Sequence, residues 1–114
     1  MGDNDGALRI FRRGLRLAPT FTYLHNGLAN VLSATERDAE AASTLQTALS
    51  MQPAAHYASY NLGHALRRMK RTAEAERAFE RAARAVPTDW RYMQGLAQLH
   101  HGSATRLGLS LIHI

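Results

Sequence analysis

The sequence predicts an all-α solenoid, a row of antiparallel helix pairs stacked side by side. Three observations carry that prediction. The three prolines, Pro19, Pro53 and Pro87, are spaced 34 residues apart, and a period of that length fits one helix–turn–helix unit. Sliding the chain by one period lays like on like: Leu28-Ala29 on Leu62-Gly63 and Leu96-Ala97, Ala7 on Ala41 and Ala75, Phe11 on Leu45 and Phe79, Gly14 on Ala48 and Ala82. Small residues let helices approach closely and large ones fill the space beside them. Finally, Ala, Leu and Arg, all good helix formers, dominate, and no alternating apolar run flanked by hairpin signals calls for a strand.

The elements follow in order. Residues 2–21 form only the second helix of a repeat, with Asp3 or Asp5 placed to cap it and suit its positive end. It runs to about Leu17, before Pro19. Residues 22–55 form a full repeat, with helices Tyr23–Ala34 and Asp38–Leu49 around a turn at Thr35-Glu36-Arg37. Residues 56–89 form the next, turning near Lys70-Arg71, with Thr72 as N-cap and Glu80–Arg84 as a favourable i,i+4 pair. Residues 90–101 supply the first helix of a further repeat, from Trp90 to about His101, capped by Thr88 or Asp89 and broken by Gly102-Ser103. The array thus spans residues 1–101. Residues 102–114 read as an irregular tail whose last residues, SLIHI, look more like translated sequencing-adapter than native protein. An array that opens and closes between the helices of a repeat, with no polar capping helix, is expected to be a fragment of a longer one.

At this point the chain resembles the tetratricopeptide repeat (TPR) family. Leu62-Gly63, Leu66, Ala75, Phe79, Ala82 and Pro87 stand where the family motif has its leucine–glycine pair, second large residue, alanine, aromatic, alanine and proline. The motif's early tryptophan is replaced by Ser59 and, one repeat earlier, by His25; its tyrosine by Leu66 and Leu32. The resemblance covers roughly residues 2–101. It implies a TPR-type right-handed superhelix of antiparallel helix pairs, with a concave groove lined mainly by the first helix of each pair.

Composition bounds the function. With no cysteine, thiol catalysis, disulfides and thiolate metal sites are excluded. No stretch approaches the ~18 apolar residues of a membrane span. The N-terminus is unlike a secretory signal, which with the lack of cysteine favours a cytoplasmic setting. The net charge of +5, from 14 basic and 9 acidic residues, favours acidic partners. Six histidines raise the question of a metal, but only His100-His101 are adjacent and no HExxH motif occurs, so neither metal nor cofactor is expected. No nucleophile–base pair or phosphate loop is found, and no enzymatic activity is expected.

The candidate binding residues are those that the leucine–small core leaves on the first helices: Tyr23, Asn26 and Asn30, with Gly27 and Ser33; Tyr57, Tyr60, Asn61, His64, Arg67 and Arg68; and Arg91, Gln94 and Gln98, with Gly95 and His101. Asparagine offers a donor and an acceptor to an extended peptide backbone. Tyrosine adds apolar area with a polar tip. Arg67, Arg68 and Arg91 suit carboxylates through paired hydrogen bonds. The expected function is a non-catalytic scaffold holding a partner protein segment of acidic character in the groove, beside neighbouring repeats of a longer chain. Asn30, Asn61 and Arg91 also resemble part of the clamp by which some TPR domains hold a C-terminal carboxylate, but its two other basic positions are Asn26 and Gly95. The asparagine of YNLG resembles that of O-linked glycosyltransferase arrays, which implies the alternative of a substrate-recruiting region of a larger enzyme. A basic stripe, Arg9, Arg12, Arg13 and Arg16, matched by Arg77, Arg81 and Arg84, raises RNA or acidic-surface binding; the intervening Ser43, Thr47 and Ser50 interrupt it, and nucleic acid is not the expected partner.

Overall fold

The computed structural model describes residues 3–106, with side chains through residue 100. Six helices follow one another: α1 (Asn4–Leu17), α2 (Thr22–Ala34), α3 (Asp38–Met51), α4 (His56–Arg68), α5 (Thr72–Ala85) and α6 (Trp90–Arg106). No strand occurs among the described residues. Each helix packs on the next in sequence, and α2 touches α4 as α4 touches α6. Such strictly local contact is what a solenoid requires, and it stretches the molecule to 54 × 29 × 21 Å.

The 34-residue frame predicted from the prolines is the frame of the core. Leu28 and Leu62, Leu32 and Leu66, Ala41 and Ala75, Leu45 and Phe79, and Ala48 and Ala82 are all buried. Helices α1, α3 and α5 end alike: the N–H groups of Ala18, Gln52 and Val86 donate to Gly14, Ala48 and Ala82, and each is followed by a proline. The turns inside the repeats also repeat. Glu36 and Lys70 both take positive φ, 63° and 65°. The next N–H groups, Arg37 and Arg71, reach back to the carbonyls of Leu32 and Leu66 at 2.8 and 2.9 Å, which closes each helix in a Schellman motif.

Helix starts bear out some expectations and correct others. Asp3 caps α1, its Oδ1 accepting from the Gly6 N–H at 2.8 Å, and Asp89 accepts from the Arg91 N–H ahead of α6. Thr72 is not a cap but the first helical residue; the N-cap is Arg71, with no side-chain bond to the helix end. Arg71 instead makes a two-pronged ion pair with Glu74, as Arg37 does with Glu40. These pairs place an acidic residue in the first turn of α5 and α3, where it complements the helix dipole. Glu80 and Arg84 do not pair among the ion pairs of the described residues. Helix α6 does not stop at Gly102-Ser103 but continues to Arg106: a glycine inside a helix costs only about 1 kcal/mol relative to alanine and need not end it. The SLIHI end lies outside the described residues.

Candidate protein-binding groove

Helices α2, α4 and α6 lie in one layer, and their helix-to-helix contacts set the candidate side chains in neighbouring rows. Three hydrogen bonds join α2 to α4, each spanning 35 residues, one more than the period. Thr22 Oγ1 and the Tyr57 hydroxyl lie 2.7 Å apart, Asn61 Nδ2 donates to Asn26 Oδ1 at 2.8 Å, and Arg68 Nη2 donates to Ser33 Oγ at 3.0 Å. The next junction, α4 to α6, is tied by His56 Nδ1 and the Tyr92 hydroxyl at 2.6 Å. Aromatic rings run along the same face. Tyr23 and Tyr57 stack with centroids 4.9 Å apart and planes within 5°, and Tyr60 packs on Tyr92 and Phe79.

Packing also decides which candidate positions can carry a side chain. Gly27 faces Phe11, and Gly95 faces Phe79; a Cβ on Gly95 would come within 2.8 Å of that ring, and one on Gly63 within 2.6 Å. Phe79 is wholly buried and has nowhere to retreat. Gly95 thus closes one of the positions where the resembling carboxylate clamp carries a basic residue. In the middle copy the equivalent of Gly27 and Gly95 is Asn61, and there the preceding helix offers Leu45 in place of phenylalanine.

The arginines differ sharply in what they hold. Arg68 pairs with Asp38 at 2.8 Å, and Arg91 grips Asp89 through Nε and Nη2 while lying over the Tyr60 and Tyr92 rings. The hydrogen bond from Arg91 depresses the Asp89 carboxyl and raises the Arg91 guanidinium. No carboxylate pairs with Arg67 among the described residues. Its Nη2 donates to His64 Nδ1 at 3.2 Å, and its buried Nε has no partner. His64 is held edge-on against Tyr60 and Phe79. Burial, and then the charges of Arg67 and Arg68, push its pKa down to about 4, so near neutral pH it is an uncharged acceptor at Nδ1.

The contacts within and between α2, α4 and α6 thus bring together Tyr23 with Tyr57, Asn26 with Asn61, Tyr60 with His64 and Arg91, and His64 with Arg67. Asn30, Gln94 and Gln98 are exposed, with no side-chain bond among the described residues. Sequence reasoning placed Tyr57, Asn61 and Arg68 in the groove but missed that they also lace the helices together, with Thr22, Ser33 and Asp38 as partners. The signal was present as polar pairs 35 residues apart. His25 is buried, with Nε2 2.9 Å from the Pro19 carbonyl. Arg9, Arg12, Arg13 and Arg16 line a cleft of about 560 Å³ along α1; Arg81 donates to the Pro53 carbonyl. No group of three metal-ligating side chains occurs among the described residues, and no described helix is long and apolar enough to cross a membrane.

A ladder of helix hairpins with a 34-residue period, closed by repeated turns and prolines, defines a helical repeat protein. A family model of the tetratricopeptide repeat matches residues 1–56, 26–90 and 60–106, and the chain belongs to that family. Among solved structures it is similar to the first TPR of Spaghetti (RPAP3) bound to HSP90 peptide SRMEEVD, with a TM-score of 0.86 and 20% identity over 90% of this chain and 82% of that one. It is similar to the first TPR domain of human RPAP3, with a TM-score of 0.88 and 20% identity over 94% of this chain and 84% of that one. It also resembles MamA, with a TM-score of 0.83 and 20% identity over 90% of this chain and 60% of that one. At these identities the likeness is one of fold. No curated protein matches the chain.

Proposed function

We propose that the chain holds an extended segment of a partner protein in the groove of α2, α4 and α6, without catalysing a reaction on it. The observation that carries this reading is the Asn26–Asn61 pair. One hydrogen bond between the two amides fixes both side chains. It leaves Asn26 Nδ2 as donor and Asn61 Oδ1 as acceptor, both on partly buried residues and neither a fully buried unpartnered atom. A rigid donor–acceptor couple of that kind matches the N–H and C=O of a peptide unit, at little ordering cost. The stacked Tyr23 and Tyr57 beside it supply flat apolar area with polar tips. A similar fold carries the HSP90 peptide SRMEEVD in the Spaghetti TPR structure, which supports the choice of a peptide as ligand class.

Selection from a phage-displayed library of random seven-residue peptides tests this. Selected clones should lose most of their binding to the double variant Asn26→Ala, Asn61→Ala and keep it on Arg12→Glu, which lies on the α1 stripe. Equal loss on both variants would move the site to the basic outer surface, and affinity falling steeply with salt would then mark an electrostatic contact there.

A further inference from the structure

The three groove arginines are alike in sequence and unlike in state. Arg68 and Arg91 each hold an aspartate. A cation that already has a bidentate or close carboxylate partner gains little from a second, since the ligand must compete for the same N–H groups. Arg67 is the exception among them. No carboxylate pairs with it among the described residues, its sole side-chain partner is a neutral imidazole, and its Nε–H is buried and unmatched. The guanidinium charge thus meets no opposing charge among the described residues, so a carboxylate brought to its accessible N–H groups gains more here than at either neighbour.

The surroundings of Arg67 look built to hold it. Arginine has no acceptor, so the contact with His64 requires Nδ1 to be the unprotonated nitrogen and leaves the proton on Nε2. The imidazole is wedged edge-on between Tyr60 and Phe79, and Phe79 is fully buried. The guanidinium is thereby anchored at one end by a ring that cannot swing away. The residue itself is only partly buried, so a ligand can approach its remaining N–H groups. Asn61, His64 and Arg67 follow at i, i+3 and i+6, one helical stripe, with Arg67 roughly 9 Å along the axis from Asn61 at the usual helical rise. A bound segment whose backbone sits on the asparagines can reach that distance with a side chain two or three residues on.

We propose that Arg67, braced by His64, is a carboxylate subsite of the groove, taking an aspartate or glutamate side chain of the bound segment. This rests on the groove reading above, and it differs from the carboxylate clamp that Asn30, Asn61 and Arg91 resemble, because Arg67 lies outside those positions and Arg91 is engaged by Asp89.

The same random-heptapeptide library reads the subsite without a known ligand. Peptides selected on the wild-type chain should carry Asp or Glu at one fixed position. Replacing that residue by its amide should weaken binding about fivefold, the usual scale of a partly screened ion pair. Arg67→Gln should abolish the acidic preference and leave the rest of the consensus. Arg67→Lys should keep part of it, and Arg12→Gln, on the α1 stripe outside the groove, should keep it all. Selected peptides with no acidic position, or an acidic preference that survives Arg67→Gln, would overturn the subsite while the groove stands. Failure to select any peptide that depends on Asn26 and Asn61 would overturn both.

Discussion

The junction between α5 and α6 and the junction between α3 and α4 solve one packing problem in opposite ways. At the first, Phe79 fills the gap and the facing helix must carry Gly95. At the second, Leu45 stands in the place of Phe79, and the facing helix carries Asn61, which reaches out to Asn26. The α1–α2 junction sides with the former, with Phe11 against Gly27. Bulk in the second helix of one repeat is thus exchanged against a side chain in the first helix of the next. Surface chemistry on the first helices is therefore rationed by the core: among the described residues, an amide stands at the junction where the hydrophobic filler is smaller.

The largest effect is expected when the two junctions are made to trade residues. Gly95→Asn alone forces a side chain against the buried Phe79 ring and should destabilise by about 3 kcal/mol, the upper range for overpacking a close-packed core. Combining it with Phe79→Leu recreates the Leu45–Asn61 pairing. The double variant should then be more stable than the sum of its single losses, with a coupling of about 1–2 kcal/mol in a double-mutant cycle from denaturant melts. Additive losses would mean that glycine at position 95 has nothing to do with the ring.

This exchange shows what the sequence displayed and what it hid. The period, the core positions and the turns were legible, because proline and the leucine–small pairs recur at fixed spacing and each has a local physical cause. Gly27 and Gly95, which their helical positions set among the candidate lining residues, instead pack against Phe11 and Phe79; a glycine in sequence carries no sign of the ring opposite it. The three arginines were read as equivalent for a similar reason. Asp38 lies on another helix, so its hold on Arg68 is set by tertiary placement, whereas Asp89 stands two residues before Arg91, just outside the helix face that carries the arginines. The Arg67–His64 contact was within reach, at i and i+3, but an arginine–histidine pair is not a pattern that charge counting selects. The continuation of α6 past Gly102-Ser103 was missed because a glycine–serine step was read as a break where the helix simply carries on.

The Phe79 side should also be the acid-sensitive one. Phe79 packs on His64, while the equivalent of His64 in the preceding repeat, Asn30, does not titrate. The His64 pKa is depressed from 6.5 to about 4 in the folded chain. The unfolded chain therefore takes up that proton first, and stability is lost as pH falls from about 6.5 towards 4, with no further loss from this group below it. Because the ring is only half-buried, about 1 kcal/mol is a reasonable size after solvent screening. Melts at pH 7 and 4.5 should show this loss, and His64→Gln should remove it. The carboxyls of Glu40 and Asp89, held below their ordinary range by Arg37 and Arg91, lose their contribution at lower pH still, which separates the two effects. A pH profile unchanged by His64→Gln would place the acid response elsewhere.

The smallest effect tests where the two repeats should not differ at all. Glu36 and Lys70 occupy the same turn position with nearly the same positive φ, and both turns close by the same backward hydrogen bonds. A left-handed conformation costs a non-glycine residue about 1 kcal/mol or somewhat more. Glycine relieves that strain but adds freedom to the unfolded chain. Glu36→Gly and Lys70→Gly should each therefore stabilise by only about half a kcal/mol, net of the two terms. The informative quantity is their difference in paired thermal melts. Equal gains would show that the hairpin turns are indifferent to whether Leu45 or Phe79 packs beneath them, so that the repeats diverge at their junctions alone. A gain at Lys70 without one at Glu36 would mean that the larger ring strains its own turn, and the asymmetry would then begin inside the repeat rather than between repeats.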